Sequence, residues 1–178
     1  MRPIQPLPLR WLISDARNDA VLEDALDRLP RGSGFIYRHY HLSGPERLAR
    51  FLTLRRVARA RGHVVVLADS ALTATEWAAD GIYGSPRALW PRRAGLLRLA
   101  TAHGMREIGL ANRLGADAVL ISPVYPTATH PGAPTLGPVR FRLLAGHSQV
   151  PVIALGGMSE LGVKRLECQR WAAIDGLS

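Results

Sequence analysis

Cysteine is almost absent, with Cys168 standing alone in 178 residues. No disulfide can close within the chain, and no zinc site built on several cysteines can form. Lysine is equally scarce: Lys164 is the only one among 23 basic residues, so the positive charge is carried by arginine. Aromatic residues make up 6% of the chain, few interleave with the arginines, and no nucleic-acid-binding motif appears. No run approaches the roughly 20 apolar residues that a membrane span needs. The opening stretch, Met1 to Pro8, carries three prolines and no apolar segment of the signal-peptide type. These absences predict a soluble, cytoplasmic protein with neither nucleic acid nor membrane as partner.

Apolar residues account for 47% and charged residues for 21%, ordinary values for a globular protein. The length fits one domain, 1–178, with a sizeable core. The formal charge is +9, which suits nucleic acid, acidic lipid or an anionic metabolite. The arginines scatter, with one concentration at Arg47, Arg50, Arg55, Arg56, Arg59 and Arg61. That stretch reads as an amphipathic helix with Leu48, Phe51, Leu52 and Val57 at its apolar positions. A solvated helix face explains it better than a nucleic-acid surface.

Three short runs, Val64–Leu67, Ala118–Ile121 and Pro151–Leu155, are apolar without alternation, as parallel strands covered on both faces are. Weaker strands are expected at 11–13, 35–37, 81–83, 97–100 and 171–174. Helical patterns fall near 19–29, 45–61, 71–79, 104–114, 137–146 and 159–168, with a seventh, interrupted by Pro91, near 86–94. Asp19, Ser70 and Ser159 suit N-caps, and Gly62 and Gly115 sit where helices should stop. Eight strands alternating with about seven helices predict an α/β fold, a (β/α)8 TIM barrel. The last outer helix is missing from this pattern. Its neighbours would then expose apolar surface, for which a second copy of the chain, a homo-oligomer, is the simplest cover.

In such a barrel the site belongs to the loops after the strands. Those positions hold Ser14–Asp15, Arg38–His41, Asp69–Ser70, Gly84–Ser85, Thr101–His103, Ser122–His130, Gly156–Gly157 and Asp175–Gly176. Polar and small residues recur there while strand interiors stay apolar. Gly156-Gly157 would let backbone N–H groups approach an anion, aided by the following helix N-terminus; a plain strand-to-helix turn is the alternative.

The stretch Gly115-Ala-Asp-Ala-Val-Leu-Ile-Ser-Pro-Val-Tyr-Pro-Thr-Ala-Thr-His130, followed by Pro151-Val-Ile-Ala-Leu-Gly-Gly-Met158, resembles the thiamine phosphate synthase and thiazole tautomerase superfamily. Trp11-Leu-Ile-Ser-Asp15 resembles its opening strand. The resemblance implies a transferase of thiamine biosynthesis that joins a hydroxymethylpyrimidine diphosphate to a thiazole phosphate, releases pyrophosphate, and uses Mg²⁺. It assigns Arg38, Thr101 and His130 to catalysis. Arg38, Thr127, Thr129, Gly156 and Gly157 fall to the phosphorylated substrates, and Asp69 to the metal. For Arg38 a surface salt bridge is the competing job, for Thr127 and Thr129 a hydrogen-bonded turn, and for Asp69 an N-cap. His103 matches a family histidine that could equally be structural.

Several family positions are replaced. Ile36 stands for a glutamine and Tyr40 for a lysine after strand 2, and Ala68 for an asparagine before Asp69. Arg87 stands for the second metal carboxylate, where it could neutralise a diphosphate in place of the ion. His130 stands for the lysine that closes the Pro-Thr-x-Thr segment, and Pro123 occupies the tautomerase histidine position. Two readings therefore stay open: a synthase, or a catalytically impaired relative that binds a phosphorylated thiazole or related metabolite as a regulator or partner subunit.

Overall fold

The computed structural model describes residues 6–128 and 131–178. Its eight strands are β1 (Arg10–Ile13), β2 (Gly34–Tyr37), β3 (Val64–Leu67), β4 (Gly81–Gly84), β5 (Leu97–Ala102), β6 (Ala118–Ile121), β7 (Val152–Leu155) and β8 (Trp171–Ala173). The helices are α1 (Leu22–Arg28), α2 (Gly44–Ala60), α3 (Ala71–Glu76), α4 (Met105–Leu114), α5 (Gly137–Ala145) and α6 (Glu160–Leu166). Each strand pairs in parallel with the next, and β8 pairs with β1, so the sheet closes into the expected (β/α)8 barrel. Among the described residues no helix is long and apolar enough to cross a membrane.

The unbroken apolar strands follow from two cores on opposite faces of one sheet. Trp11, Ile13, Ile36, Val66, Leu99, Leu120, Ile153 and Ala172 point into the barrel. Their neighbours Leu12, Phe35, Tyr37, Val65, Leu67, Val119 and Ala154 point outward against the helices. A residue's parity along its strand thus decides whether it can reach the barrel's mouth.

Inside the barrel, Gly34 makes room for the Trp11 ring: a Cβ there would lie 2.1 Å from a ring carbon. Gly34→Ala is expected to destabilise the fold by roughly 2 kcal/mol or more, the usual scale of overpacking. An unchanged urea midpoint would show that Trp11 does not fill this space.

The expected helix near 86–94 is absent. Trp90–Pro91 is a cis peptide bond, and the segment is a run of turns closed by Ala88 N–H to the Ser85 carbonyl (2.9 Å) and Trp90 N–H to the Arg87 carbonyl (3.2 Å). Proline has no N–H to continue a helical ladder. Six outer helices result among the described residues. β8 is followed there by a 3-10 turn, Asp175–Leu177. Val139 and Leu143 on α5 and Leu161 on α6 are exposed apolar side chains.

Ser70 and Ser159 cap α3 and α6, accepting from the N–H groups of Thr73 and Gly162. Asp19 does not cap α1. A 3-10 turn, Asp19–Val21, precedes that helix, and the Asp19 carboxylate is taken by His39 and Arg50. On α2 the buried seam is Phe51, Leu54 and Ala58, while Leu52 faces solvent. Most of the arginines of this stretch are stitched to the protein, while Arg56 is exposed on the solvated face. Arg55 donates to the Trp77 carbonyl, Arg59 to that of Ala78, and Arg61 lies 3.7 Å from Asp27.

Candidate functional site

One cavity of about 500 Å³ opens at the C-terminal ends of the strands. Its walls carry Arg38 and Tyr40 after β2, Tyr83 on β4, and Thr101 and His103 at the end of β5. Ser122, Pro123, Pro126 and Thr127 follow from β6, Leu155 to Met158 from β7, and Ala173 to Gly176 from β8. Inward parity explains most of this set. Arg38 and Tyr40 continue the row of Ile36, Thr101 and His103 that of Leu99, and Gly157 that of Ile153 and Leu155.

The loops after β6 and β7 are bound together by their backbones. Val124 N–H donates to the Leu155 carbonyl (2.9 Å) and Tyr125 N–H to that of Gly156 (3.0 Å). Gly156 and Gly157 have φ of +97° and +61°, and a Cβ at Gly157 would sit 2.3 Å from the Pro126 carbonyl oxygen. Only glycine permits both the conformation and the approach. The corner places Gly156, Gly157 and Thr127 on one cavity. α6 begins only at Glu160 and is already capped by Ser159, so anion binding at this corner would fall to loop groups rather than to a helix terminus. Thr129 and His130 lie outside the described residues.

Arg38 reaches Asp15 at 3.7 Å, and Arg17 bridges Asp15 (3.0 Å) to Asp175 (3.2 Å). Burial raises the Asp15 carboxyl, but hydrogen bonds from Arg17 and the charges of Arg17 and Arg38 outweigh it and hold Asp15 below the usual carboxylate range. Burial pushes the Tyr83 hydroxyl up to about 12, so the phenol stays protonated as a neutral wall. His103 Nδ1 lies 2.9 Å from the Ser122 carbonyl. A carbonyl can only accept, so Nδ1 donates in this bond.

Asp69 is not among the cavity walls. It is out of phase with inward Val66, and its carboxylate accepts from Arg47 at 2.5 Å and from the Ser70 N–H at 2.7 Å. Arg87, at the second metal position, carries positive charge. Magnesium seeks several oxygen ligands, whereas here the one carboxylate is already neutralised by a guanidinium. The described residues at this position do not fit a protein-held Mg²⁺. Asp19, His39 and His41 are the cluster with metal-ligand atoms within 4.8 Å of one another among the described residues. In it Asp19 Oδ1 already accepts from both His39 and Arg50, each at 2.7 Å.

Two buried histidines make stability sensitive to mild acid. Burial lowers His39, more than its contact with Asp19 raises it, and lowers His63, whose Nε2 meets the Leu26 carbonyl. Both stay neutral in the fold while the unfolded chain takes up protons below about pH 6.5. Their contribution is complete above that pH and is lost as pH falls. Asp15, Asp19, Glu23 and Asp69, also held low, add their loss only below about pH 4. The urea midpoint is expected to drop between pH 7.5 and pH 5.5; a flat profile over that range would contradict neutral burial.

Tyr83, Arg47 and the His39 network escape a motif reading. Tyr83 could have been found from parity, since Gly81 and Tyr83 follow inward Val66 across the β3–β4 register. Arg47 had no such signal, because its role depends on how α2 lies across the ends of β2 and β3.

Fold and cavity together define a (β/α)8 barrel with a candidate small-molecule site at its C-terminal mouth. The chain belongs to the thiamine monophosphate synthase family, whose sequence model (TMP-TENI) matches residues 11–177. It is 31% identical over 130 residues to the thiamine-phosphate synthase of Chloroflexus aurantiacus, covering 70% of this chain and 60% of that protein. It is 25% identical over 171 residues to that of Lactococcus lactis subsp. lactis, covering 82% and 74%. The chain thus spans well under two thirds of the length of several curated relatives, down to about a third for the protein named putative thiamine-phosphate synthase 2 of Aquifex aeolicus. Thiamine phosphate pyrophosphorylase from Pyrococcus furiosus superposes with a TM-score of 0.77 at 22% identity, covering 93% of this chain and 84% of that one. The YdjI aldolase of Escherichia coli K12 superposes at 0.67 with 10% identity, covering 94% and 76%. Both structural likenesses speak to the fold.

Proposed function

We propose that the chain is a thiamine phosphate synthase-like transferase that joins a hydroxymethylpyrimidine diphosphate to a thiazole phosphate. The observation that carries this reading is a single cavity with Arg38 on one wall and Thr127, Gly156 and Gly157 on another. A guanidinium binds a diphosphate through parallel charge-assisted bonds, and hydroxyl and backbone N–H groups suit the thiazole phosphate. With both substrates in one cavity, the thiazole nitrogen attacks the pyrimidine methylene carbon. The carbon–oxygen bond to the diphosphate breaks, and its electron pair leaves with pyrophosphate. Arg38 stabilises that departing charge, Thr101, which lines the same cavity, donates to it, and family resemblance adds Thr129 and His130 to the phosphate side. No step is routed through Mg²⁺, whose expected ligand Asp69 is paired with Arg47.

The second reading, a binder without turnover, draws on Tyr40 and Arg87 at positions where the family carries a lysine and a carboxylate, and on the same Asp69–Arg47 pair. Incubation with both substrates and Mg²⁺, following pyrophosphate, separates the two. Release that falls at least tenfold in Arg38→Ala supports the transferase. Saturable binding of thiazole phosphate with no pyrophosphate selects the binder, and neither binding nor turnover would overturn both.

A further inference from the structure

We propose that His39 is a positioning residue for Arg38, holding the Arg38 peptide so that its guanidinium faces the anionic half of the ligand. This rests on the reading above that Arg38 meets an anion. Arg38 follows the last hydrogen-bonded residue of β2, where a chain end would ordinarily move freely. Here its peptide is clamped on both sides: the Arg38 N–H donates to Ser14 Oγ at 2.8 Å, and the Arg38 carbonyl accepts from Arg47 Nε at 2.9 Å.

His39 is the next residue, and its φ is +40°, in the left-handed region that side-chain-bearing residues rarely adopt. Its ring is buried outside the cavity, stacked on outward-facing Tyr37 with centroids 4.7 Å apart. Nδ1 lies 2.8 Å from Ser14 Oγ and Nε2 lies 2.7 Å from Asp19 Oδ1. Ser14 Oγ already accepts the Arg38 N–H, so its hydroxyl proton is free to go to Nδ1. Nε2 then carries the ring proton and donates it to Asp19. Asp19 is held in turn by Arg50, which also pairs with Glu23.

Serine, histidine and aspartate in a row suggest a nucleophile, but Ser14 is fully buried and Oγ serves the Arg38 peptide. The chain of bonds fixes a backbone. The turn at His39 also brings Tyr40 back over the guanidinium groups of Arg38 (5.7 Å) and Arg47 (5.6 Å), which restricts where Arg38 can swing. A network over-determining one strained residue beside a ligand-facing arginine is the pattern expected where strain sets geometry.

The test is a double-mutant cycle read by calorimetric binding of inorganic pyrophosphate. His39→Ala is expected to weaken binding roughly tenfold, while Arg38→Ala with His39→Ala binds no worse than Arg38→Ala alone. Thiazole phosphate, assigned to the Gly156–Gly157 side, is expected to bind unchanged. His39→Gln keeps an amide donor for Asp19 and is expected to recover most of the affinity. Additive losses, or equal losses for both ligands, would show that His39 supports the fold generally and would overturn the proposal. Should His39→Ala fail to fold, Ser14→Ala removes the hydroxyl that links His39 Nδ1 to the Arg38 N–H and carries the same cycle. If the unaltered protein binds no pyrophosphate, the diphosphate reading fails by itself. Crystal structures of the unaltered protein and the variant then decide the matter, and an Arg38 guanidinium that has not moved sinks the positioning role.

Discussion

Gly157→Ala is expected to weaken thiazole phosphate binding on the order of 100-fold, about 2.7 kcal/mol, while leaving a folded barrel. The new methyl would lie 2.3 Å from the Pro126 carbonyl oxygen and 2.8 Å from Tyr125 Cβ, at a φ of +61°. Neither neighbour is the end of a flexible side chain, so the loop carrying Thr127 must shift. Backbone strain of about 1–3 kcal/mol is the usual scale of such a change, and binding loses further because two walls of one cavity part. Titration calorimetry measures the loss and a thermal melt checks the fold. Gly109→Ala is the control: its Cβ would meet nothing within 4 Å. It lies inside α4, where alanine is favoured by roughly 0.5–1 kcal/mol, so a slightly raised melting temperature with unchanged binding is expected. Full affinity in Gly157→Ala would remove this corner from the site.

Arg98→Met is expected to cost about 3 kcal/mol and to lower the melting temperature by roughly 6–12 °C, with ligand binding unchanged. Arg98 is 2% exposed and faces the helices from the end of β5 remote from the cavity. Its guanidinium donates to the Leu114 carbonyl at 3.0 Å and to that of Gly115, closing the C-terminus of α4. Methionine matches the stem but takes the guanidinium donor away from both carbonyls. Arg98→Lys is expected to recover little, since an ammonium cannot fork to two carbonyls along the same path. A melt within 2 °C of the unaltered protein (a shift of about 1 kcal/mol or less at this size) would show that these carbonyls find water instead.

Barrel strands were legible because both their faces are buried. Val64–Leu67 and Ala118–Ile121 coincide with β3 and β6, and a parallel sheet under helices leaves no face to water. The stretch near 86–94, whose helical pattern Pro91 interrupts, forms turns instead, because proline supplies no N–H to continue a helical ladder. At the site, Arg38, Thr101, His103, Thr127, Gly156 and Gly157 were all legible as strand-end residues, and all line the cavity. Asp69 was read as facing the same space, although counting from Val66 would have turned it outward.

The linear order of residues determined by itself how many strands form, that they run parallel and close, and which loops carry the polar and glycine residues. Those properties depend on neighbours a few positions apart, whose burial and backbone freedom each residue type carries with it. Only the tertiary structure decided that Asp69 answers Arg47 from α2, that Ser14, His39 and Asp19 join into one chain of bonds, and that Arg98 reaches back to cap α4. Charge pairing and hydrogen bonding act over about 3 Å, and that distance is set by how helices lie on the barrel, which no local pattern records.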